Sequence, residues 1–214
     1  MTSVPEFTAL AGVVGAIAIG AISPGPSFVM VARTAVSSSR ANGIAAALGM
    51  GAGGVSFALA ALLGLHAVLL AVPSLYVVLK IAGGVYLAWL GFRIWGSARQ
   101  PLVVAAEGVG GGGDSWTRSF GLAFITQASN PKAAVVYASV FAAFLPVAPS
   151  LGFDVALVII VFAVEAGWYS IVAVALSSER PRRAYLRYKA VVDRLAGGVM
   201  MLLGLKLVLS GHRV

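Results

Sequence analysis

The chain has 214 residues, of which 60% are hydrophobic and only 10% are charged, and it contains no cysteine. Because a soluble domain carries roughly 25% charged residues, this composition excludes an ordinary soluble fold and indicates a membrane protein. The lack of cysteine also excludes a disulfide framework and any thiolate metal or redox site.

Six apolar segments are long enough to cross a membrane, since a transmembrane helix needs about 20 predominantly apolar residues. The N-terminus lacks the basic region of a cleavable signal peptide, so we interpret the first segment as a retained span. A glycine-rich linker, Gly108–Gly113, separates the third segment from the fourth. The predicted spans are Phe7–Ser37, Asn42–Ala71, Ser74–Trp95, Thr117–Leu145, Leu151–Ser177 and Ala190–Ser210.

The net charge of +8 is concentrated in three of the five connections between these spans. In a soluble protein such a charge would favour nucleic-acid binding, but here its distribution matches the positive-inside rule. The first, third and fifth connections are therefore predicted to be cytoplasmic, with both termini outside and no nucleic-acid partner. The basic residues of these connections are Arg33 and Arg40, then Arg93, Arg99 and Arg118, then the cluster within Arg180–Arg194.

The segment Arg180–Arg194 is the most basic part of the chain. It includes Tyr185 and Tyr188, which are typical of a membrane–water interface. We predict that it contacts anionic lipid headgroups, and a cytoplasmic regulator is the alternative partner.

Two sequence matches relate the halves of the chain. SPGPSFVMVA from Ser23 aligns with SNPKAAVVYA from Ser129, and IAGGVYLAWLG from Ile81 resembles LAGGVMMLLG from Leu195. Each half then holds three spans, and because three is odd the second half must have inverted topology. We predict an all-α membrane protein with six transmembrane helices as a 3+3 inverted repeat. Its parts are residues 1–95, a cytoplasmic linker at 96–116, and residues 117–214.

The first and fourth spans are each broken near the membrane midplane. Pro24 and Pro26 have no amide hydrogen, so the carbonyls of Gly20 and Ile22 lose their helical partners. Gly25 between the prolines lets another group approach the backbone. Paired interruptions in corresponding positions of two halves are typical of a transporter binding site. A packing kink is the alternative interpretation.

In the fourth span, Pro131 frees the carbonyl of Gln127 in the same way. Each break offers an amide end that favours an anion and a carbonyl end that favours a cation. Two breaks that meet at the midplane could therefore bind a zwitterion such as an amino acid.

Two ionisable residues lie near the middle of predicted spans, where a charge costs roughly 2.5–3.5 kcal/mol on insertion scales. Lys132 is predicted to hold a substrate carboxylate, and Glu165 to hold an amine or carry a coupling proton. A structural ion pair between them is the alternative. Trp168, one helical turn from Glu165, could line the cavity or simply pack.

Other polar and small residues give weaker signals. His66 and His212 are isolated, and a metal site needs more ligands than they offer. Small residues of the second span, from Asn42 to Gly54, indicate close helix packing, either internal or in a homodimer. We find no soluble-enzyme motif, and the linker glycines lack the GK[ST] that follows a phosphate loop.

The chain resembles the LysE/RhtB-type amino-acid translocators of bacteria, the lysine exporter superfamily. The resemblance rests on ISPGPSFVMVARTAVSSSRANGIAAALGMGAG at Ile22–Gly53, LKIAGGVYLAWLGFRIW at Leu79–Trp95 and GLAFITQASNPKAAVVY at Gly121–Tyr137. It implies an inner-membrane exporter of amino acids, driven by the proton gradient and needing no cofactor. The motif residues that it implies are Pro24, Gly25, Pro26, Asn130, Pro131 and Lys132.

We therefore predict a proton-coupled secondary active transporter that exports amino acids or close derivatives across the bacterial inner membrane. An exporter of a metal ion or a drug-like metabolite is the first alternative; an intramembrane enzyme and a non-transporting scaffold are the others. The predicted substrate-binding residues are Pro24, Gly25, Pro26, Gln127, Asn130, Pro131, Lys132 and Trp168, and the predicted proton-coupling residue is Glu165.

Overall fold

Helices form all the regular structure in the part of the chain that the computed structural model describes, residues 4–23, 25–65, 73–100, 115–146 and 149–210. The absence of strands from these ranges confirms the predicted all-α class. A π-helical turn, Ala61–Leu65, continues the third helix. The helices are α1 (Val4–Ile22), α2 (Pro26–Ser37), α3 (Arg40–Ala60), α4 (Pro73–Ser97), α5 (Trp116–Ala128), α6 (Pro131–Phe144), α7 (Leu151–Leu176) and α8 (Glu179–Ser210).

Side-chain caps fix the starts of four helices. The Oγ atoms of Ser39, Ser115 and Ser150 accept the amide three residues further on, at 3.1, 3.2 and 3.2 Å. Asn130 Oδ1 accepts the amide of Lys132 at 3.0 Å. These bonds satisfy amides that have no partner inside the helix, so the boundaries of α3, α5, α6 and α7 are encoded locally.

Helix α3 packs against α2, α5 and α7. A Cβ atom at Gly53 would lie 2.6 Å from Gln127 Cβ, and one at Gly54 would lie 2.7 Å from the Tyr137 hydroxyl. Glycine at these positions therefore lets the neighbouring helices approach closely. The small residues predicted on the second span form an internal packing surface.

Helices α4 and α8 make the most extensive helix pair of the described structure. A Cβ atom at Gly91 would lie 2.5 Å from the Gly197 carbonyl oxygen, and one at Gly197 would lie 2.6 Å from that of Gly91. Further along the pair, Gly204 contacts the backbone of Gly84 and Ala88. The glycine motifs of the second sequence match thus face each other across this interface.

Two helices of the described structure are long and apolar enough to cross a membrane, Arg40–Gly64 and Leu151–Leu176. A third span results if α1 and α2, which are bent by 58° at their junction, count as one. These correspond to the second, fifth and first predicted spans. The other three spans, the inverted topology and the division into two halves with a linker stay predictions. The glycine-rich part of that linker lies outside the described residues.

The basic segment at Arg180–Arg194 forms the first half of α8, which begins at Glu179 rather than at the predicted Ala190. Most of its described side chains are exposed, but Lys189 and Asp193 are only 8% and 3% exposed. Lys189 Nζ donates to Asp193 Oδ2 at 2.7 Å and to the Ala98 carbonyl at 3.4 Å. This contact fastens α8 to the C-terminal end of α4.

Candidate functional site

The first break separates α1 from α2. Helix α1 ends at Ile22, and α2 begins at Pro26, where a missing amide costs no helical bond. Gly25, the residue before α2, has an extended backbone with φ −164° and ψ −171°. Because glycine has no side chain, it cannot cap α2. Pro24 lies outside the described residues. The break therefore lacks a side-chain cap of its own.

Lys132 reaches from the second half of the chain into this break. Its Nζ donates to the Ser23 carbonyl at 2.8 Å and to the Gly20 carbonyl at 3.2 Å. These oxygens belong to the C-terminal end of α1, where the helix dipole favours a cation. A Cβ atom on Gly25 would lie 3.3 Å from Lys132 Cδ and 3.4 Å from Nζ, so a glycine here makes room for the lysine.

The second break, between α5 and α6, is satisfied by its own residues. Asn130 Oδ1 caps α6, while the Asn130 amide donates to the Gln127 carbonyl at 3.0 Å. The Ser129 amide donates to the Ile125 carbonyl at 2.9 Å. The carbonyl of Gln127, which Pro131 was expected to free, is therefore paired again within a tight turn.

A buried chain of hydrogen bonds joins the two breaks. Asn130 Nδ2 donates to Ser27 Oγ at 2.8 Å, and Ser27 Oγ donates to Gln127 Oε1. All three side chains are buried. Because buried polar groups that are fully bonded fix a unique geometry, this chain holds the start of α2 against the end of α5.

Glu165 on α7 is 3% exposed and has one paired and one unpaired oxygen. Tyr137 donates its hydroxyl to Oε1 at 3.0 Å, whereas Oε2 has no hydrogen-bond partner. The Tyr137 ring stacks on Phe57 with centroids 5.1 Å apart. A buried oxygen without a partner is costly, so its presence here needs an explanation.

These groups surround a cavity of about 30 Å³ at the point where the two breaks meet. It has room for about one or two water molecules. Lys132 and Glu165 both line it, yet they do not form an ion pair with each other. Its polar lining consists of Ser23, Ser27, Gln127, Asn130, Lys132, Tyr137, Glu165 and Tyr169.

The structure thus gathers Gly25, Gln127, Asn130, Lys132 and Glu165 of the predicted site residues around one cavity. The remaining described ones lie elsewhere. Pro131 is exposed at the start of α6, and Pro26 lines a separate groove. Trp168 packs against the cluster of buried residues around Phe28 rather than lining the cavity.

Four polar residues of the cavity were absent from the predicted site. Ser23 and Ser27 flank the first break, so their position next to the prolines was an available signal. Tyr137 follows Lys132 by five residues, but nothing in the sequence indicates that it contacts Glu165. Tyr169, 4% exposed, reads as an ordinary packing residue in an apolar span.

The described residues contain no group of three or more histidine, aspartate or glutamate side chains that could hold a metal ion. The cavity instead presents one ammonium, one carboxylate and neutral polar groups. Such a set matches an organic zwitterion better than a bare cation, because an ammonium lies among the oxygens and only one carboxylate offsets a cation's charge.

A buried, charged cavity where two helix breaks meet is typical of membrane transport proteins. Comparison with known families agrees: the sequence model of the family described as "LysE type translocator" matches residues 18–211. The chain belongs to this family of membrane translocators, as its sequence resemblance indicated.

Relatives within the family include efflux proteins. The chain is 31% identical over 194 residues to the threonine efflux protein of Escherichia coli K12, covering 90% of this chain and 93% of the relative. It is 30% identical over 192 residues to the threonine efflux protein of Salmonella typhimurium, with the same coverage. An uncharacterized membrane protein of Haemophilus influenzae is 28% identical over 194 residues, 90% of this chain and 92% of the relative. No solved structure matches the chain.

Proposed function

We propose that this protein is a secondary active transporter that exports an amino acid across the bacterial inner membrane. One observation carries the proposal: a single cavity is lined both by the Lys132 ammonium and by an unpaired oxygen of the Glu165 carboxylate. An α-amino acid bears a carboxylate and an ammonium on the same carbon, so both ends would find a charge-assisted partner here. Since the relatives include threonine efflux proteins, L-threonine is the first substrate to test.

The proposed architecture is six spans in an inverted 3+3 repeat. In it, α1 with α2 and α5 with α6 are the broken spans, α3 corresponds to α7, and α4 corresponds to α8. The packing supports this pairing, because α3 contacts α7 and α4 contacts α8. The broken spans also contact each other, since α1 packs against α6 and α2 packs against α5. Both termini are then outside, and the exposed arginines of early α8 face cytoplasmic anionic lipid.

Alternating access follows from the size of the cavity. A space of about 30 Å³ is too small for an amino acid, so the helices must separate to admit one. Lys132 would then exchange the carbonyls of α1 for the substrate carboxylate. Rocking of one repeat against the other carries the substrate outward.

Glu165 is our proposed proton site. Its Oε2 is buried without a partner, and a neutral carboxylic acid is less costly to bury than a carboxylate. Proton entry from outside would neutralise Glu165 after the substrate ammonium has left, so an inward proton gradient drives export.

Counterflow in proteoliposomes tests this function. Purified protein is loaded with unlabelled amino acids, and uptake of the labelled amino acid is measured with and without an imposed pH gradient. Selective exchange that responds to the gradient supports the proposal. If no amino acid moves, and a metal ion or drug-like metabolite does, amino-acid export is wrong.

The variant Glu165→Gln separates transport from coupling. We expect it to retain a weaker exchange without a gradient, because the substrate ammonium loses its charged partner but keeps an amide oxygen as acceptor. The response to the gradient should be lost, because an amide cannot carry the proton, although its oxygen can still accept from Tyr137. A variant that retains the full gradient response would show that Glu165 is not the proton site.

A further inference from the structure

A second space, a groove of about 170 Å³, lies between α2 and α5. This space is more than five times as large as the central cavity, so it has room for a small solute. Its polar lining comes from Arg33, Thr34 and Ser37 on α2 and from Thr126 on α5.

The groove has polar side chains beside the apolar residues Pro26, Val29 and Met30. Polar side chains at membrane depth normally face a protein interior or a water-filled cavity, because contact with hydrocarbon is costly. The hydroxyls of Thr34 and Thr126 donate to carbonyls of their own helices at 2.9 and 2.8 Å, so each oxygen keeps its capacity to accept a hydrogen bond. Arg33 adds a positive charge, so the groove suits a water-filled space that attracts an anionic group.

The groove and the central cavity lie on two sides of one helix contact. Pro26 and Thr126 line the groove, whereas their neighbours Ser27 and Gln127 line the cavity. The hydrogen bond from Ser27 to Gln127 joins α2 to α5 at this level. A solute in the groove is therefore separated from the cavity by a contact that a single hydrogen bond helps to hold.

We propose that the groove is a vestibule in which Arg33 binds an α-amino acid by its carboxylate before the contact between Ser27 and Gln127 opens. The guanidinium of an arginine has five donors in a planar fork that matches a carboxylate, so the interaction that Arg33 already makes does not exhaust them. Arg33 and Ser37 lie at the end of α2 that leads to Arg40, so the vestibule opens on the side predicted to be cytoplasmic. This inference rests on the proposed export of amino acids.

Single-cysteine labelling tests the vestibule, and the natural chain needs no background substitutions because it contains no cysteine. The groove variants are Thr34→Cys and Thr126→Cys. The matched control is Ile125→Cys, which is next in sequence but 61% exposed on the outer surface of α5. Ser178 is exposed at the turn between α7 and α8, which is predicted to be cytoplasmic like the opening of the groove. Labelling of Ser178→Cys therefore reports that the reagent reaches this side of the membrane.

A membrane-impermeant thiol reagent is applied to vesicles in which Ser178→Cys reacts. We expect both groove cysteines to react and Ile125→Cys to remain unlabelled, since an ionised thiolate forms only in contact with water. L-threonine should slow labelling of Thr34→Cys. Adding Arg33→Gln should raise the L-threonine concentration that gives half protection about tenfold, as expected for one lost charged hydrogen bond. Arg93 is an exposed arginine outside the groove, so Arg93→Gln should leave the concentration for half protection unchanged.

Two results overturn the proposal. If the groove cysteines stay as unreactive as Ile125→Cys while Ser178→Cys reacts, the groove contains lipid rather than water. If they react but L-threonine gives the same protection with and without Arg33→Gln, the arginine does not bind the carboxylate. Counterflow by the wild-type protein in parallel vesicles distinguishes these failures from failure of amino-acid export itself.

Discussion

The two breaks look alike in sequence but are stabilised in different ways. The second break supplies its own cap, because Asn130 bonds the amide of Lys132 and the carbonyl of Gln127 within one turn. The first break has no such cap. Two of its carbonyls, those of Gly20 and Ser23, accept from Lys132, which follows the second break in sequence. One break is thus a local structure, whereas the other is completed only when the two halves of the chain pack together.

This difference has a consequence for transport. Whatever draws Lys132 away from the first break leaves the carbonyls at the end of α1 without partners, but it does not disturb the cap of α6. A substrate carboxylate that binds Lys132 would therefore loosen one break and not the other. We therefore expect substitutions at the two breaks to have unequal effects on local opening and on transport.

The largest effect is expected for Lys132→Ala. It removes two hydrogen bonds from a charged donor, each worth about 1.5–3 kcal/mol, and we expect exchange to fall roughly a hundredfold or more. Counterflow gives the rate, and hydrogen exchange should show faster opening at the end of α1 with α6 unchanged. The control is Lys206→Ala, an exposed lysine of α8. Equal opening of both breaks would contradict the comparison.

Asn130→Ala should have the next largest effect. Loss of an N-cap costs about 1 kcal/mol, and loss of the donor to Ser27 adds a comparable amount. We expect unfolding in detergent to become easier by about 2 kcal/mol, with faster hydrogen exchange in the first turn of α6. Ser129→Ala, which removes an exposed hydroxyl beside it, should be neutral. A stable Asn130→Ala protein would mean that the second break is also held by tertiary contacts.

Ser27→Ala tests the link between the breaks. We expect a loss of stability of about 1 kcal/mol, because the amide groups of Asn130 and Gln127 can partly re-pair across the missing hydroxyl. A double-mutant cycle with Asn130→Ala measures the coupling, which should exceed 0.5 kcal/mol for residues in direct contact. Additive effects would show that the bond between Ser27 and Asn130 does not hold the two breaks together.

Gly25→Ala should have the smallest effect. The extended backbone accepts any residue, so the added Cβ acts only by displacing Lys132 by a few tenths of an ångström. Because the far end of a lysine is flexible, we expect about a threefold change in exchange, on the order of 0.6 kcal/mol. The change should vanish in a Lys132→Ala background, and an unchanged effect there would point to another cause.

Reasoning from the sequence identified most of the charged and amide residues that meet at the cavity. Lys132 and Glu165 stood out because an ionisable group in an apolar span is rare and costly. Asn130 was implied by the family resemblance, as part of the motif with Pro131 and Lys132. Trp168 was a weaker inference, since a tryptophan in a buried helix packs against apolar neighbours as readily as it lines a cavity.

The sequence by itself determined the helical class, the membrane setting and the positions of the breaks. Each depends on composition or on neighbours within a few residues. Only the tertiary structure decided that Lys132 bonds the carbonyls of α1 instead of pairing with Glu165, and that Tyr137 holds one oxygen of that carboxylate. These contacts join residues far apart in the chain, so their geometry depends on how the helices pack. Local sequence patterns do not specify that packing.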